Sequence, residues 1–383
     1  MSAVLLEQGV AWFQHQSLHQ DTFFCSKLPQ FVFLRAPVRD EFPPPVHCFR
    51  LLAPDGTLRH AAAAPLDGNT ALVVLSPVPN YVALETMLRF VAADKSKFED
   101  KSAILSSLQN QVDHLQGSCV SVNASLLWEV VSSENIVDVW TALLLEESVV
   151  VLSSEVSILV HVMEALKMLL YPFQWEFLFC PLLPEALMDF LDAPQPLFVG
   201  VSKSCTELTQ HPRMTSSVVL DLDDDRVLLP EGLSLQFPSS LTVDILNNVS
   251  RAMSSGYYSC RGSISEAQLG SLRLGFLNAL AQLSCNYREC YMQTQPKKSS
   301  VIKSFQAVRK DRSSSQRNLT RFIQFSNPMF GSFLERFCRS QVFEQFLLRQ
   351  LELDSGNCRN PFDLFESLVN QNLVIQKGVI SIL

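Results

Sequence analysis

The chain has 383 residues, of which 47% are hydrophobic and 18% charged, with 26 Phe, 13 Gly and a formal net charge of −8. That length exceeds one ordinary core and predicts two or three packed modules, and the composition excludes a disordered chain. The negative charge excludes a general nucleic-acid binder, whose footprint is basic, and argues against strong unassisted binding to an anionic membrane.

The opening MSAVLLEQGVAWFQ has no basic flank and Glu7 interrupts its apolar run, so no signal peptide is expected. Residues 28–75 read as strands: LPQFVFL, then VHCFRLL, then LRHAAAA after the turn Pro54-Asp55-Gly56-Thr57, then ALVVL at 71–75. In that turn Pro presets φ and Gly accepts positive φ. From Tyr81 to Ala92 the period becomes helical, with Leu84, Met87, Leu88 and Val91 on one face. A second helix is expected over 101–115. Together these make a small antiparallel sheet with helices.

A second unit begins near Cys119. Its pattern gives a helix over 134–147 and the short apolar run VVVL at 149–152, as expected of a strand buried on both faces. Ser153 or Ser154 then caps a helix over 155–170, with Glu155 in its first turn. That helix is apolar nearly all round, with a polar stripe of Ser157, His161, Glu164 and Lys167, so it belongs in the middle of the structure. A helix at 184–191 and strands in PLFVGV (196–201) and SSVVLDL (216–222) follow. Asp223-Asp224-Asp225 turns the chain into RVLL. The three strands at 149–152, 196–201 and 216–222 are expected in one sheet, with the apolar helix across it. This unit reads as α/β.

Residues 293–317 read as a flexible basic linker carrying Lys297, Lys298, Lys303, Arg309, Lys310, Arg312 and Arg317. It is either a solvated tether or a contact for an anionic membrane, open to switching by phosphorylation. Beyond it, Phe330, Phe333, Leu334 and Phe337, then Phe343, Phe346 and Leu347, mark two amphipathic helices. Asn360-Pro361 starts a third, carrying Phe362, Phe365 and Leu368. The module boundaries are therefore 1–115, 116–292, 293–317 and 318–383, the last module being all-α.

The ten Cys are scattered without a C-x-x-C pair and are expected to be buried reduced thiols. No P-loop, dinucleotide turn, nucleophile elbow or H-E-x-x-H occurs, and Cys285 and Cys290 have no adjacent His pair to complete a zinc site. No cofactor, metal or catalytic residue is expected. The most apolar region, 141–170, is broken by charges, so no bilayer span and a cytoplasmic protein are expected.

The central unit runs through a helix ending in Leu-Leu-x-Glu, a buried strand ending in Ser, an apolar helix and Leu-Leu-Tyr-Pro-Phe-x-Trp; Leu-Pro, Ala-Pro-x-Pro, Gly-Val and an Asp-x-Asp strand follow. With Tyr171, Pro172, Phe173, Trp175, Pro181, Pro184, Ala193, Pro194, Pro196, Gly200 and Asp221 in that order, it resembles the DENN domain. Departures are Glu147 in place of the usual Arg, Phe177 in place of His and Phe179 in place of Tyr. Most matched residues have a plain structural reading: Pro172, Pro181, Pro184 and Gly200 shape turns, and Phe173 and Trp175 pack.

The resemblance implies a longin-like α/β module, a central α/β module and a C-terminal all-α module. It also implies guanine-nucleotide exchange on a Rab-type small GTPase in membrane trafficking, without covalent chemistry. The protein would be cytoplasmic, with recruitment to vesicle or endosomal membranes. Two alternatives stand beside it: a non-catalytic scaffold or Rab effector, and a GTPase-activating role like that of folliculin-related proteins, which needs an Arg such as Arg213 or Arg226. The implied contact surface spans the upstream lobe and the central unit. It nominates Pro77, Pro79, Tyr81, Asp221, Asp223, Asp224, Asp225 and Arg226. In sequence only Arg226 offers the three consecutive acids a cation; the plain reading is a solvated hairpin turn.

Overall fold

The computed structural model describes residues 2–7, 10–13, 22–34, 45–52, 55–66, 70–93, 122–205, 208, 211–254, 264–290, 322–323, 326–354 and 363–380. The helix expected over 101–115, the linker 293–317, the Asn360-Pro361 cap and all three module boundaries lie outside these residues. The chain is mixed α/β with helices toward its C-terminus, as expected. It forms two compact units, each interrupted in sequence. The first holds Met1–Asn135, Ser148–Leu166 and Phe177–Glu231; the second holds Ile136–Glu147, Lys167–Glu176 and Gly232–Leu383.

The first unit contains two five-stranded sheets. One is antiparallel and built from β1 (Ser2–Glu7), β2 (Val10–Phe13), β3 (His47–Leu52), β4 (Leu58–Pro65) and β5 (Thr70–Ser76), in the order β2-β1-β5-β4-β3. The expected turn between β3 and β4 is there: Gly56 sits at φ 85, and the Thr57 N–H donates to Asp55 Oδ1 at 2.8 Å. Helix α2 (Tyr81–Ala92) lies where its period predicts and buries Leu84, Met87, Leu88 and Val91. Strands β1 and β2 were not read from the sequence.

One expected strand is a helix. LPQFVFL falls in α1 (Thr22–Val32) and the residues just after it. The reason is the spacing of Leu28, Phe31 and Val32, all buried, which share a helical face; a run as short as LPQFVFL does not by itself distinguish the two periods. Phe31 stacks on Phe49 of β3 at 5.1 Å, and His47 Nε2–H donates to the Phe31 carbonyl at 2.9 Å.

The second sheet has the order β10-β9-β6-β8-β7, with β6 at Val149–Ser153, β7 at Leu178–Cys180, β8 at Leu197–Ser202, β9 at Val218–Asp221 and β10 at Arg226–Leu228. Strand β6 runs parallel between β8 and β9, which explains why Val149, Val150 and Val151 are all fully buried. The three expected strands thus share one sheet, and β10 closes an antiparallel hairpin on β9. The helix expected at 184–191 is instead a 3-10 segment, Glu185–Asp192, broken at Leu187.

Helix α5 (Val156–Met168) joins the two layers. Leu159 through Leu166 are buried without interruption. Val160 sits in a core with Val46, Cys48, Ala62, Leu72 and Val74 of the first sheet and Leu84 and Leu88 of α2. Met163 lies against Gly200 of β8. An all-round apolar helix is what a position covered on two sides requires. Its expected polar stripe is therefore half interior: His161 and Glu164 are buried, while Ser157 and Lys167 are partly exposed. Its cap also differs from expectation, because Glu155, not a serine, stands before the helix and accepts from the Ser157 N–H at 3.3 Å.

The second unit is helical, with α4 (Ser133–Leu144, its part from Ile136), α7 (Ser239–Ser254), α8 (Glu266–Leu283), α9 (Gly331–Phe337), α10 (Gln341–Asp354) and α11 (Asp363–Ile380); the first unit also holds two short helices, α3 (Ser125–Val130) and α6 (Arg213–Ser216). Trp140 meets Phe237 and Phe276 edge-on at 5.1 Å each, and its indole N–H donates to the Leu169 carbonyl at 3.1 Å. Phe173 contacts Phe346 at 4.6 Å and Phe337 at 5.2 Å, so it packs as expected. Glu147, which departs from the family pattern, pairs with Arg336 at 2.7 Å, and Arg336 also donates to the Ser234 carbonyl.

Gly200 is in the middle of β8, inside the strand expected at 196–201, and does not shape a turn. A Cβ there would lie 2.2 Å from the Pro181 carbonyl oxygen and 2.8 Å from Met163 Sδ. The glycine is needed for close approach, and the first obstacle is backbone, which cannot rotate away. Gly200→Ala should therefore lower stability by about 1–3 kcal/mol or more. Urea unfolding followed by circular dichroism checks this; an unchanged midpoint would mean that the 181–183 segment moves freely.

Candidate functional site

Strands β8, β6 and β9 run parallel in matched register, Ser153 beside Ser202 and Leu152 beside Asp221. Their C-terminal ends therefore emerge together, at the edge where open α/β sheets gather functional loops. Lys203 follows β8, Ser153-Ser154 follows β6, and Asp221–Arg226 follows β9.

These residues form one charge cluster. Lys203 Nζ stands 2.6 Å from Asp221, 3.1 Å from Asp223 and 3.7 Å from Asp224. Asp223 accepts from the Ser154 N–H and the Ser153 hydroxyl, each at 3.1 Å. Asp225, at φ 44, accepts from the Ser132 N–H at 3.0 Å and from the Asn135 amide at 2.8 Å. The sequence expectation that only Arg226 stands beside these acids is corrected: Lys203 does, brought in by strand register from 20 residues away. The signal was present in the matched strand ends, but it is legible only once the strand order is known.

Asp221 first, with Asp223, pushes the Lys203 ammonium up to about 12. Partial burial alone would raise Asp223, but the Ser154 N–H, Lys203 and the Ser153 hydroxyl outweigh it and hold the carboxyl below the ordinary range. Asp225 is likewise lowered, with the Asn135 amide and Ser132 outweighing burial. Asp223, Asp224 and Asp225 are all exposed residues, and Asp224 is the most open of the Lys203 partners, its side chain 64% exposed. Arg226 is exposed at the start of β10.

The Pro77–Tyr81 segment links β5 to α2. The Ser76 hydroxyl donates to the Val78 carbonyl at 2.8 Å and accepts the Val78 N–H at 3.0 Å, fixing the turn. Pro77 and Val78 are exposed and Pro79 is half-buried. Tyr81 is fully buried, with its hydroxyl 2.7 Å from His60 Nδ1, so this nominee faces the core. Val82 and Phe90, on the outer face of α2, are also exposed. The period that turns Leu84 and Leu88 inward puts them outside, which sequence reading did not use.

Helix α5 is attached to both groups. Its entry is held by Asp223 through Ser153 and Ser154. At its middle, His161 Nδ1 accepts the Asn123 N–H at 3.1 Å, which leaves Nε2–H to donate to Glu85 of α2 at 2.9 Å. Glu85 also accepts from the Cys48 thiol at 3.4 Å. The Tyr81 ring stands edge-on to His161, centroids 6.3 Å apart.

The arrangement offers a surface. Among the described residues no group of His, Cys, Asp and Glu could hold a metal ion. Arg213 is turned inward, donating to the Leu191 carbonyl at 2.7 Å and to the Ala193 carbonyl. Among the described residues no helix is long and apolar enough to cross a membrane.

The lowered Asp223 carboxyl has a pH consequence. Its stabilisation is fully present above the unfolded carboxylate value of about 3.9 and is lost as pH falls through the lower folded value. Asp223→Asn should lower the urea midpoint at pH 6 and flatten its fall between pH 5 and 2.5. A variant with the wild-type slope would show that Asp223 is only solvated.

Residues 103–225 match the family model described as the DENN (AEX-3) domain, a segment that ends on the acidic loop. The chain is 25% identical over 325 residues to "DENN domain-containing protein 1B" of Mus musculus, covering 78% of this chain and 38% of that protein. It is 36% identical over 108 residues to "DENN domain-containing protein 1C" of Mus musculus, covering 28% of this chain and 14% of that protein. It is 25% identical over 289 residues to "DENN domain and WD repeat-containing protein SCD1" of Arabidopsis thaliana, covering 71% of this chain and 24% of that protein. The chain thus spans well under half the length of these relatives.

Proposed function

From the premise that this chain is a DENN-domain protein, we propose that it is a guanine-nucleotide exchange factor for a Rab-type small GTPase. Such a factor makes and breaks no covalent bond. It binds the nucleotide-free GTPase more tightly than the nucleotide-bound one, and by linkage the nucleotide leaves faster. What supports the reading is that Asp223 of one candidate segment hydrogen-bonds the entry of one buried helix, and Tyr81 of the other stands edge-on to His161 of the same helix, inside one unit. A partner touching both segments would meet a surface of fixed geometry, as preorganised recognition requires.

Within this reading the nominated residues divide. Asp224 and Arg226 supply exposed charge; Pro77 and Pro79, with Val78, Val82 and Phe90, supply apolar contact. Asp221, Asp223, Asp225 and Tyr81 hold these surfaces in place. The guanidinium of Arg213, one example of an arginine that a GTPase-activating role would need, donates to the Leu191 and Ala193 carbonyls instead. The segment 293–317, with seven cations and one acid, supplies charge for recruitment to an anionic membrane.

The test is release of a fluorescent guanine nucleotide from a panel of Rab GTPases, with hydrolysis scored separately. At least one Rab should release faster with the chain present. Asp224→Asn combined with Arg226→Ala should slow that release roughly fivefold or more and flatten its salt dependence, with unfolding unchanged. Rab binding without accelerated release would replace the proposal with a scaffold or effector role. Accelerated hydrolysis instead of release would replace it with an activating one.

A further inference from the structure

The second unit contains a groove of about 740 Å³ bounded by α7, α8 and α11. Its volume is in the range of ligand sites, and polar side chains share its lining about equally with apolar surface. On α7 these are Asp244, Asn247, Asn248 and Arg251, at i, i+3, i+4 and i+7; on α8 they are Asn278 and Gln282, at i and i+4. Residues at these spacings share a helix face, so the two helices present facing rows of carboxamides.

The helices approach closely at Gly275, where a Cβ would stand 2.8 Å from Asn248 Oδ1. The missing side chain makes room for the Asn248 amide. Asn248 Oδ1 is buried and has no hydrogen-bond partner among the described residues.

A carboxamide carries an acceptor oxygen and a donor NH₂, the same pair that a peptide unit repeats along a main chain. Asp244 and Arg251 stand about 10 Å apart along α7, at 1.5 Å per residue. About three residues of extended or polyproline-type chain span that distance. We propose that this groove binds an extended peptide segment of a partner protein by its main-chain amides. A basic side chain of the peptide lies toward Asp244 and an acidic one, about three positions away, toward Arg251. The ladder reads backbone, and the two charges fix direction.

The proposal is tested by panning a phage library of random linear 12-residue peptides against the full chain, then measuring the synthesised winners by fluorescence anisotropy. Enriched peptides should carry a basic and an acidic residue about three positions apart. Asn278→Ala with Gln282→Ala removes two amides while favouring helix; it should keep the wild-type melting curve and weaken binding about tenfold or more. N-methylation of the peptide backbone should weaken binding similarly, a readout that does not depend on the variant folding. Equal binding by the variant and by N-methylated peptides overturns the proposal, as does failure to enrich any sequence. Binding confined to a synthetic peptide of residues 293–317 would assign the groove to this chain's own segment and overturn the partner reading.

Discussion

Burial of α5 on two sides is the constraint from which the first unit follows. Eight consecutive residues, Leu159 to Leu166, are withdrawn from water, and each large apolar side chain among them contributes about 1.5–3 kcal/mol. Val160 completes the core of the antiparallel sheet, and Met163 meets the parallel one. Neither sheet covers that face without the helix. Two of the eight are polar, and buried polar groups need partners. His161 meets this with one arrangement of its ring nitrogens, accepting at Nδ1 and donating at Nε2, and so ties α5 to α2.

The same helix explains the acidic loop. It begins where three parallel strands end, and Asp223 supplies the acceptors that its entry residues need. Lys203 balances the acids, so most of the loop's charge is spent inside the fold. Asp224 and Arg226 are the exposed charges of the loop that make the fewest contacts to the rest of the unit. The second unit rests on different physics: interlocked aromatics around Trp140 and Phe173, with single ion pairs such as Glu147–Arg336 at their margin. That ion pair is half-exposed and contributes about 0–1 kcal/mol.

Elements with one clear signal were legible in the sequence. Strand β6 was a continuous apolar run, α2 a 3.6-residue period, and β9–β10 an acidic turn between apolar runs. Helix α1 was missed because a run as short as LPQFVFL fits either period, and β1 and β2 because their short runs carried no turn signal that was recognised. Gly200 was misread as shaping a turn because a close approach of Pro181 and Met163 leaves no local mark. Lys203 and Arg336 were missed for a related reason: each meets its carboxylate through strand order or helix packing. Burial of Tyr81 was readable in principle, since it begins the periodic face of α2, but its neighbouring prolines suggested a surface loop.

If α5 is the shared core of both sheets, the first unit opens as a whole. Native-state hydrogen exchange measures this directly, because each amide reports the free energy of the opening that exposes it. Amides of β4, β5, α5, β6 and β8 should share one opening free energy, and it should respond equally to denaturant. Exchange of β4 and β5 at a distinctly lower free energy, with α5 and β6 still protected, would contradict the account.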